Sequence, residues 1–173
     1  MTPDALPSLD LPAPYHIGIV VRDIEKTIER YQNVFGISEW RVQERRPGDT
    51  QPWHWHGEPQ PDVGMIFAYS VTDFPLIELV QPTTDAEWSA TAHLREHGEG
   101  IYHLGYSVDD VAGTIERASR LGVKIEAYVE GEHGIRVAYL DPNDAHGVRI
   151  ELVSSDAVQG LLQWVETGSW PAG

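Results

Sequence analysis

Two histidines and two glutamates recur at matched places in this chain. His16 stands in Tyr15-His16-Ile17-Gly18 and His103 in Tyr102-His103-Leu104-Gly105. Glu78 stands in Ile77-Glu78-Leu79-Val80, which returns as Ile150-Glu151-Leu152-Val153. Two imidazoles and two carboxylates suit one borderline divalent cation: zinc, cobalt, nickel, manganese or iron(II). Spacing alone proves nothing for residues so distant in sequence. Duplication carries the argument, because two copies about a pseudo-twofold axis set equivalent side chains around that axis, where one ion can use all four. Two matched pairs outweigh the alternative of core histidines and surface glutamates.

The duplication also defines the elements that must position these groups. Nine of sixteen positions are identical between Tyr15–Arg30 and Tyr102–Arg117, so the chain is two copies of one unit. Residues 15–21 alternate as a strand, and Asp23 caps a helix whose Ile24, Ile28, Tyr31 and Phe35 fall at helical spacing before Gly36. Strands over 37–45, 63–69 and 75–81 complete the first unit. The second runs strand 101–108, helix 110–121, then strands 123–129, 135–140 and 147–153. The expected fold class is α+β: two tandem βαβββ modules forming a curved mixed sheet around a metal cleft. In each closing strand the Glu lies between large apolar residues. If those pack under the helix, Glu78 and Glu151 face the cleft. An unpaired carboxylate there is costly, which favours a cation partner. The boundaries read as an N-terminal arm (1–14), one domain (15–153, with modules 15–83 and 100–153 joined by a linker 84–99) and a C-terminal helix and tail (154–173). Val158, Leu161, Leu162 and Val165 mark that last helix.

Composition narrows the partners. With 27 acidic residues against 12 Lys and Arg, the net charge is −15, which argues against nucleic acid. Without cysteine, thiolate ligands and disulfides are excluded. No apolar run approaches the ~20 residues of a membrane span, and the first residues do not read as a signal peptide. A cytoplasmic protein acting on a small molecule, with no membrane partner, is expected.

Fourteen more residues separate His16 from Glu78 than separate His103 from Glu151, and Pro47–Gln60 accounts for them as an insertion. Its Trp53-His54-Trp55-His56 run reads as a lid over substrate, a dimer contact, a secondary metal tract, or a mobile loop with incidental histidines. Trp53, Trp55, Tyr102 and Arg136 are the candidate substrate contacts. For Arg136 and Arg149 ordinary surface ion pairing is the favoured reading. Trp40, Trp88, Trp164 and Trp170 read as packing residues. His93, His97 and His146 read as structural or exposed, and His133 as a weak second-layer candidate.

Three segments resemble the vicinal oxygen chelate superfamily, also called the glyoxalase/bleomycin-resistance/dioxygenase fold. They are His16-Ile17-Gly18 through Asp23 to Phe35-Gly36, Gly98-Glu99-Gly100-Ile101-Tyr102-His103 through Asp110, and His133-Gly134 through Asp141-Pro142 to Glu151-Leu152. Within that superfamily the chain is most similar to methylmalonyl-CoA epimerases and glyoxalase-like proteins. The resemblance implies paired βαβββ modules, one divalent metal ion held by His16, Glu78, His103 and Glu151, and a homodimer. It also implies removal and return of a proton next to a carbonyl, with Glu151 as base and Glu78 as second proton carrier or ligand. The chain departs from the epimerases at Asp141-Pro142-Asn143, where they usually read His-Pro-Lys, and at Tyr102, where a second histidine is usual. The alternatives are a glyoxalase I-type lyase, an enzyme on an aromatic or polyketide-like substrate, an extradiol-type dioxygenase, and a non-catalytic binding or resistance protein.

Overall fold

The computed structural model describes residues 8–49, 51–131 and 134–171. The first half runs β1 (His16–Val20), α1 (Ile24–Phe35), β2 (Trp40–Arg45), β3 (Trp53–Trp55), β4 (Glu58–Gln60), β5 (Met65–Ser70) and β6 (Leu76–Pro82). Helix α2 (Ser89–Glu96) leads to the second half: β7 (Gly100–Val108), α3 (Val111–Arg120), β8 (Ile125–Gly131), β9 (Gly134–Leu140), β10 (Arg149–Ser154) and the final helix α4 (Ser155–Thr167). The duplicated aspartates start duplicated helices. Asp23 accepts from the Lys26 backbone N–H at 3.0 Å and Asp110 from that of Gly113 at 2.8 Å. Gly36 ends α1 at φ 75°, a left-handed position that glycine adopts without steric cost.

Among the described residues, all ten strands join one sheet in the order β2-β5-β6-β1-β7-β10-β9-β8-β3-β4. The two modules meet in the middle, where β1 and β7 pair antiparallel. Each closing strand lies parallel to the opening strand of its own module, β6 on β1 and β10 on β7. The insertion is not a loose loop. It folds as the hairpin β3–β4 and adds to β8, in the other module.

That pairing requires curvature. β2 is one edge of the sheet, and β3 lies eight strand positions away. Across a flat sheet those positions span roughly 38 Å. The eight residues from Arg45 to Trp53 reach at most about 28 Å. The sheet therefore curls, bringing its two edges toward each other around a concave face.

The faces are sorted as the alternation predicts. On the convex side, α1 packs Ile24 and Ile28 over Ala68 and Leu79, and α3 packs Val111, Ile115 and Ala118 over Ala138, Leu140 and Leu152. Leu79 and Leu152 are fully buried, so Glu78 and Glu151 turn to the concave face. This face is covered too. Helix α4 lays Val158, Leu161, Trp164 and Val165 against Tyr15, Phe67, Tyr69, Leu76 and Val153. At the other end Trp88 and Ala90 join Val20, Val80, Tyr102, Ala127 and Tyr139, with Trp53 and Trp55 of the hairpin packed on them. The N-terminal arm contributes Leu9 and Leu11 to the α3 side. Among the described residues, no helix is long and apolar enough to cross a membrane.

Leu79 and Leu152 hold equivalent places under the two convex helices. Leu79→Ala and Leu152→Ala each leave a cavity and cost about 2–5 kcal/mol, measured as a lowered urea midpoint at unchanged slope.

Candidate metal centre

The four predicted ligands come from four adjacent strands, β6, β1, β7 and β10, and all point into the concave face. Their nearest ligand atoms lie within 4.8 Å of one another. His16 Nε2 is 3.2 Å from Glu78 Oε2 and 3.1 Å from Glu151 Oε2. His103 Nε2 is 2.9 Å and 3.5 Å from the same two oxygens. The two imidazole nitrogens are 2.6 Å apart.

Such closeness needs backbones without side chains between them. In the antiparallel register His16 faces Gly105 and Gly18 faces His103. A Cβ on Gly18 would overlap the His103 ring, and one on Gly105 would overlap the His16 ring. The duplicated motif is thus His-x-Gly, each glycine admitting the other module's histidine. This role was missed from the sequence, although the repeated glycines were its signal. A register shift after Gly18 places an extra residue, Tyr102, on β7. Tyr102 and His103 are buried side by side as a result, with ring centroids 4.9 Å apart.

Aromatic rings fix the imidazoles. Tyr15 meets His16 edge-on at 4.4 Å and Tyr69 meets it at 5.6 Å. Tyr139 lies 5.3 Å from His103. Both Nδ1 atoms are buried without a hydrogen-bond partner, so ring packing orients the two imidazoles. Both histidines are fully buried and both glutamates nearly so.

The electrostatics match a cation site. Burial pushes the His16 imidazole down, but the Glu78 charge and hydrogen bonds with Glu151 and Glu78 overcome it and raise its pKa to about 9. Burial pushes the Glu78 carboxyl up, but the His16 charge and hydrogen bonds from both imidazoles hold it well below the usual carboxylate range. Glu78 Oε2 and Glu151 Oε2 are buried acceptors without a hydrogen bond of normal geometry. Two nitrogen and two oxygen donors converging at about 3 Å have the spacing expected around an ion with ~2.0–2.2 Å bonds. The residues therefore fit a divalent cation.

The other candidates are distributed around this cluster. Trp53 stacks on Tyr139 at 5.5 Å and tilts against Trp88 at 5.6 Å, so one ring separates it from His103. Trp55 packs in the same group, its indole N–H buried and unpartnered. The Tyr102 hydroxyl pairs with Ser89. Arg136 stands apart from the ligands. It pairs with Asp156 at 3.2 Å and lines a surface pocket with Asp109, Asp110 and Ser154. Arg149 corrects the sequence reading, since it is buried and not a surface ion pair. Its Nε and Nη2 donate to the Glu126 carboxylate at 2.6 and 2.8 Å, and its Nη1 donates to His93 Nδ1 at 3.1 Å. Parity with Glu151, two residues on, was the signal for its inward direction. His133 lies outside the described residues.

Two outcomes follow from this geometry. Gly18→Ala or Gly105→Ala displaces the opposite imidazole, so either variant stays folded by circular dichroism but loses stoichiometric zinc uptake in elemental analysis. Burial, then the positive charges of Arg149 and His97, push His93 down to about 4 from 6.5. Between those values the unfolded chain binds more protons, so stability present above pH 6.5 is lost as pH falls toward 4. Urea melts at pH 7 and pH 5 show a smaller acid loss for His93→Gln than for the unaltered protein.

Known proteins resemble this chain in sequence and fold. The ethylmalonyl-CoA/methylmalonyl-CoA epimerase of Cereibacter sphaeroides is 26% identical over 140 residues, covering 79% of this chain and 93% of that protein. The mitochondrial methylmalonyl-CoA epimerase of Bos taurus is 27% identical over 153 residues, covering 87% and 78%. A solved methylmalonyl-CoA epimerase in complex with methylmalonyl-CoA and NH4+ superposes with a TM-score of 0.60 at 25% identity, covering 86% of this chain and 98% of that one. A sequence model of the glyoxalase/bleomycin resistance protein/dioxygenase superfamily matches residues 15–139, and the chain belongs to that superfamily.

Proposed function

We propose that this protein is a divalent-metal-dependent epimerase that removes and returns a proton on the carbon next to a carbonyl. The observation that carries the reading is the pair of buried carboxylates, Glu78 and Glu151, held against two imidazoles at the centre of a duplicated sheet. A bound divalent cation supplies Lewis acidity, stabilising negative charge that develops on the substrate oxygen. The chain's own residues do the rest. Glu151 takes the proton from the carbon acid, and Glu78, across the cluster, returns one to the other face or remains a ligand. The burial of both carboxylates excludes bulk water while a proton is held. Trp53, half-buried and backed by the packed rings of Tyr139, Tyr102 and Trp88, offers an aromatic surface on the His103 side to the apolar part of a substrate.

The substrate class this reading favours is a branched acyl thioester bearing a carboxylate, the methylmalonyl type named for the relatives. At the turn before the last strand, Asp141 accepts from the Asn143 backbone N–H at 2.9 Å, so its carboxylate organises the turn itself.

The test is deuterium incorporation at the α-carbon of methylmalonyl-CoA in deuterated water, using protein loaded with cobalt or zinc. Metal-dependent exchange is expected. Glu151→Gln should slow it by about 10²–10⁴-fold, the usual share of a positioned general base, while still binding metal. Exchange that survives both Glu151→Gln and Glu78→Gln assigns the proton transfer elsewhere and removes this reading.

A further inference from the structure

The duplication extends one layer beyond the ligands. Phe67-Ala68-Tyr69 in β5 and Val137-Ala138-Tyr139 in β9 repeat the pair Ala-Tyr. In the antiparallel registers Tyr69 stands directly opposite Glu78, and Tyr139 directly opposite Glu151. Side chains directly opposite in such a pair share a face and lie about 4.5–5.5 Å apart at Cβ. Each tyrosine also touches its own module's histidine, Tyr69 at 5.6 Å from His16 and Tyr139 at 5.3 Å from His103. Both are buried, at 5% and 4% exposure. The structure therefore repeats a three-residue set, His16–Tyr69–Glu78 and His103–Tyr139–Glu151.

We infer that Tyr69 and Tyr139 are a duplicated pair of positioning residues, each phenol donating to the carboxylate beside it so that one oxygen stays aimed at the cluster centre. The inference rests on the metal-centre reading above. The physical need is plain. A glutamate has three rotatable bonds, and neither buried Oε2 has a hydrogen bond of normal geometry to hold it. A fixed phenol on the neighbouring strand limits that freedom, and ligating carboxylates are typically hydrogen-bonded in this way. The two phenols have different backing. Trp164 of α4 lies 6.4 Å from Tyr69, whereas Trp53 of the hairpin stacks on Tyr139.

Tyr69→Phe, Tyr139→Phe and the double variant test this in the full chain, with Tyr128→Phe as a control. Tyr128 stacks on His54 and faces the convex side. Zinc affinity is read by competition with a chromophoric chelator, and ligand geometry by the visible spectrum of the cobalt(II)-loaded protein. Each single variant should bind zinc about 10-fold more weakly or worse and shift the cobalt spectrum. The double variant should exceed either, the control should match the unaltered protein, and metal-free unfolding should show all four folded. Unchanged affinity and spectrum in Tyr69→Phe and Tyr139→Phe, with metal bound normally by the parent, overturn the tyrosine assignment alone. A parent protein that takes up neither zinc nor cobalt overturns the metal centre and this inference with it.

Discussion

Two imidazole nitrogens 2.6 Å apart across a strand pair are the constraint on which the rest depends. β-Sheet geometry does not bring opposed side chains so close unless each histidine faces a position without a Cβ. Gly105 and Gly18 provide those positions, and the antiparallel seam between β1 and β7 provides the register. Once the seam is set, the parallel partners β6 and β10 have one choice of face for their glutamates, because Leu79 and Leu152 are claimed by the convex helices. Two carboxylates and two imidazoles then share a volume from which water is nearly excluded, and their charges must compensate one another or a cation.

The inner layer is symmetric and the outer one is not. Ligands, glycines, capping aspartates and tyrosines all occur twice. The covers occur once each. Helix α4 crosses the concave face from the end of β10 toward β2, where Arg41 donates to the Glu166 carbonyl at 3.4 Å and Trp170 donates to Gln43 at 3.0 Å. The other end carries α2, the hairpin and the buried Arg149–Glu126 pair. The duplicated centre therefore sits in an asymmetric chamber.

Of the symmetric part, the four candidate ligands and the capping aspartates were legible in the sequence, while the roles of Gly18 and Gly105 and of the two tyrosines were not. His16, His103, Glu78 and Glu151 followed from the repeat, and their direction followed from strand alternation beside buried leucines. Asp23 and Gly36 marked a helix through local backbone chemistry that needs no tertiary context. What escaped was set by contacts distant in sequence. Nothing local in Trp53-His54-Trp55 says that it adds to β8, since that edge belongs to the other module. Arg149 read as a surface cation because its partner, Glu126, comes from a strand whose register shifts there. The apolar stripe of α4 announced a helix, but not that it would lie on the concave face over Tyr69.

The hairpin has a consequence for how the chain assembles. Its strand pairs Trp53 with Val129 and Trp55 with Ala127, joining segments more than seventy residues apart. It can do so only when β8 is in place and the sheet has curled enough for a short connection to span the gap. Loop closure at such separation is entropically costly until nearer contacts have formed. The β3–β8 pairing therefore depends on both modules being in place. Trp53, stacked on Tyr139, is held on the His103 side of the cluster by this pairing between the modules. The hairpin thus ties the two modules together at a second place, far along the sheet from the β1–β7 seam.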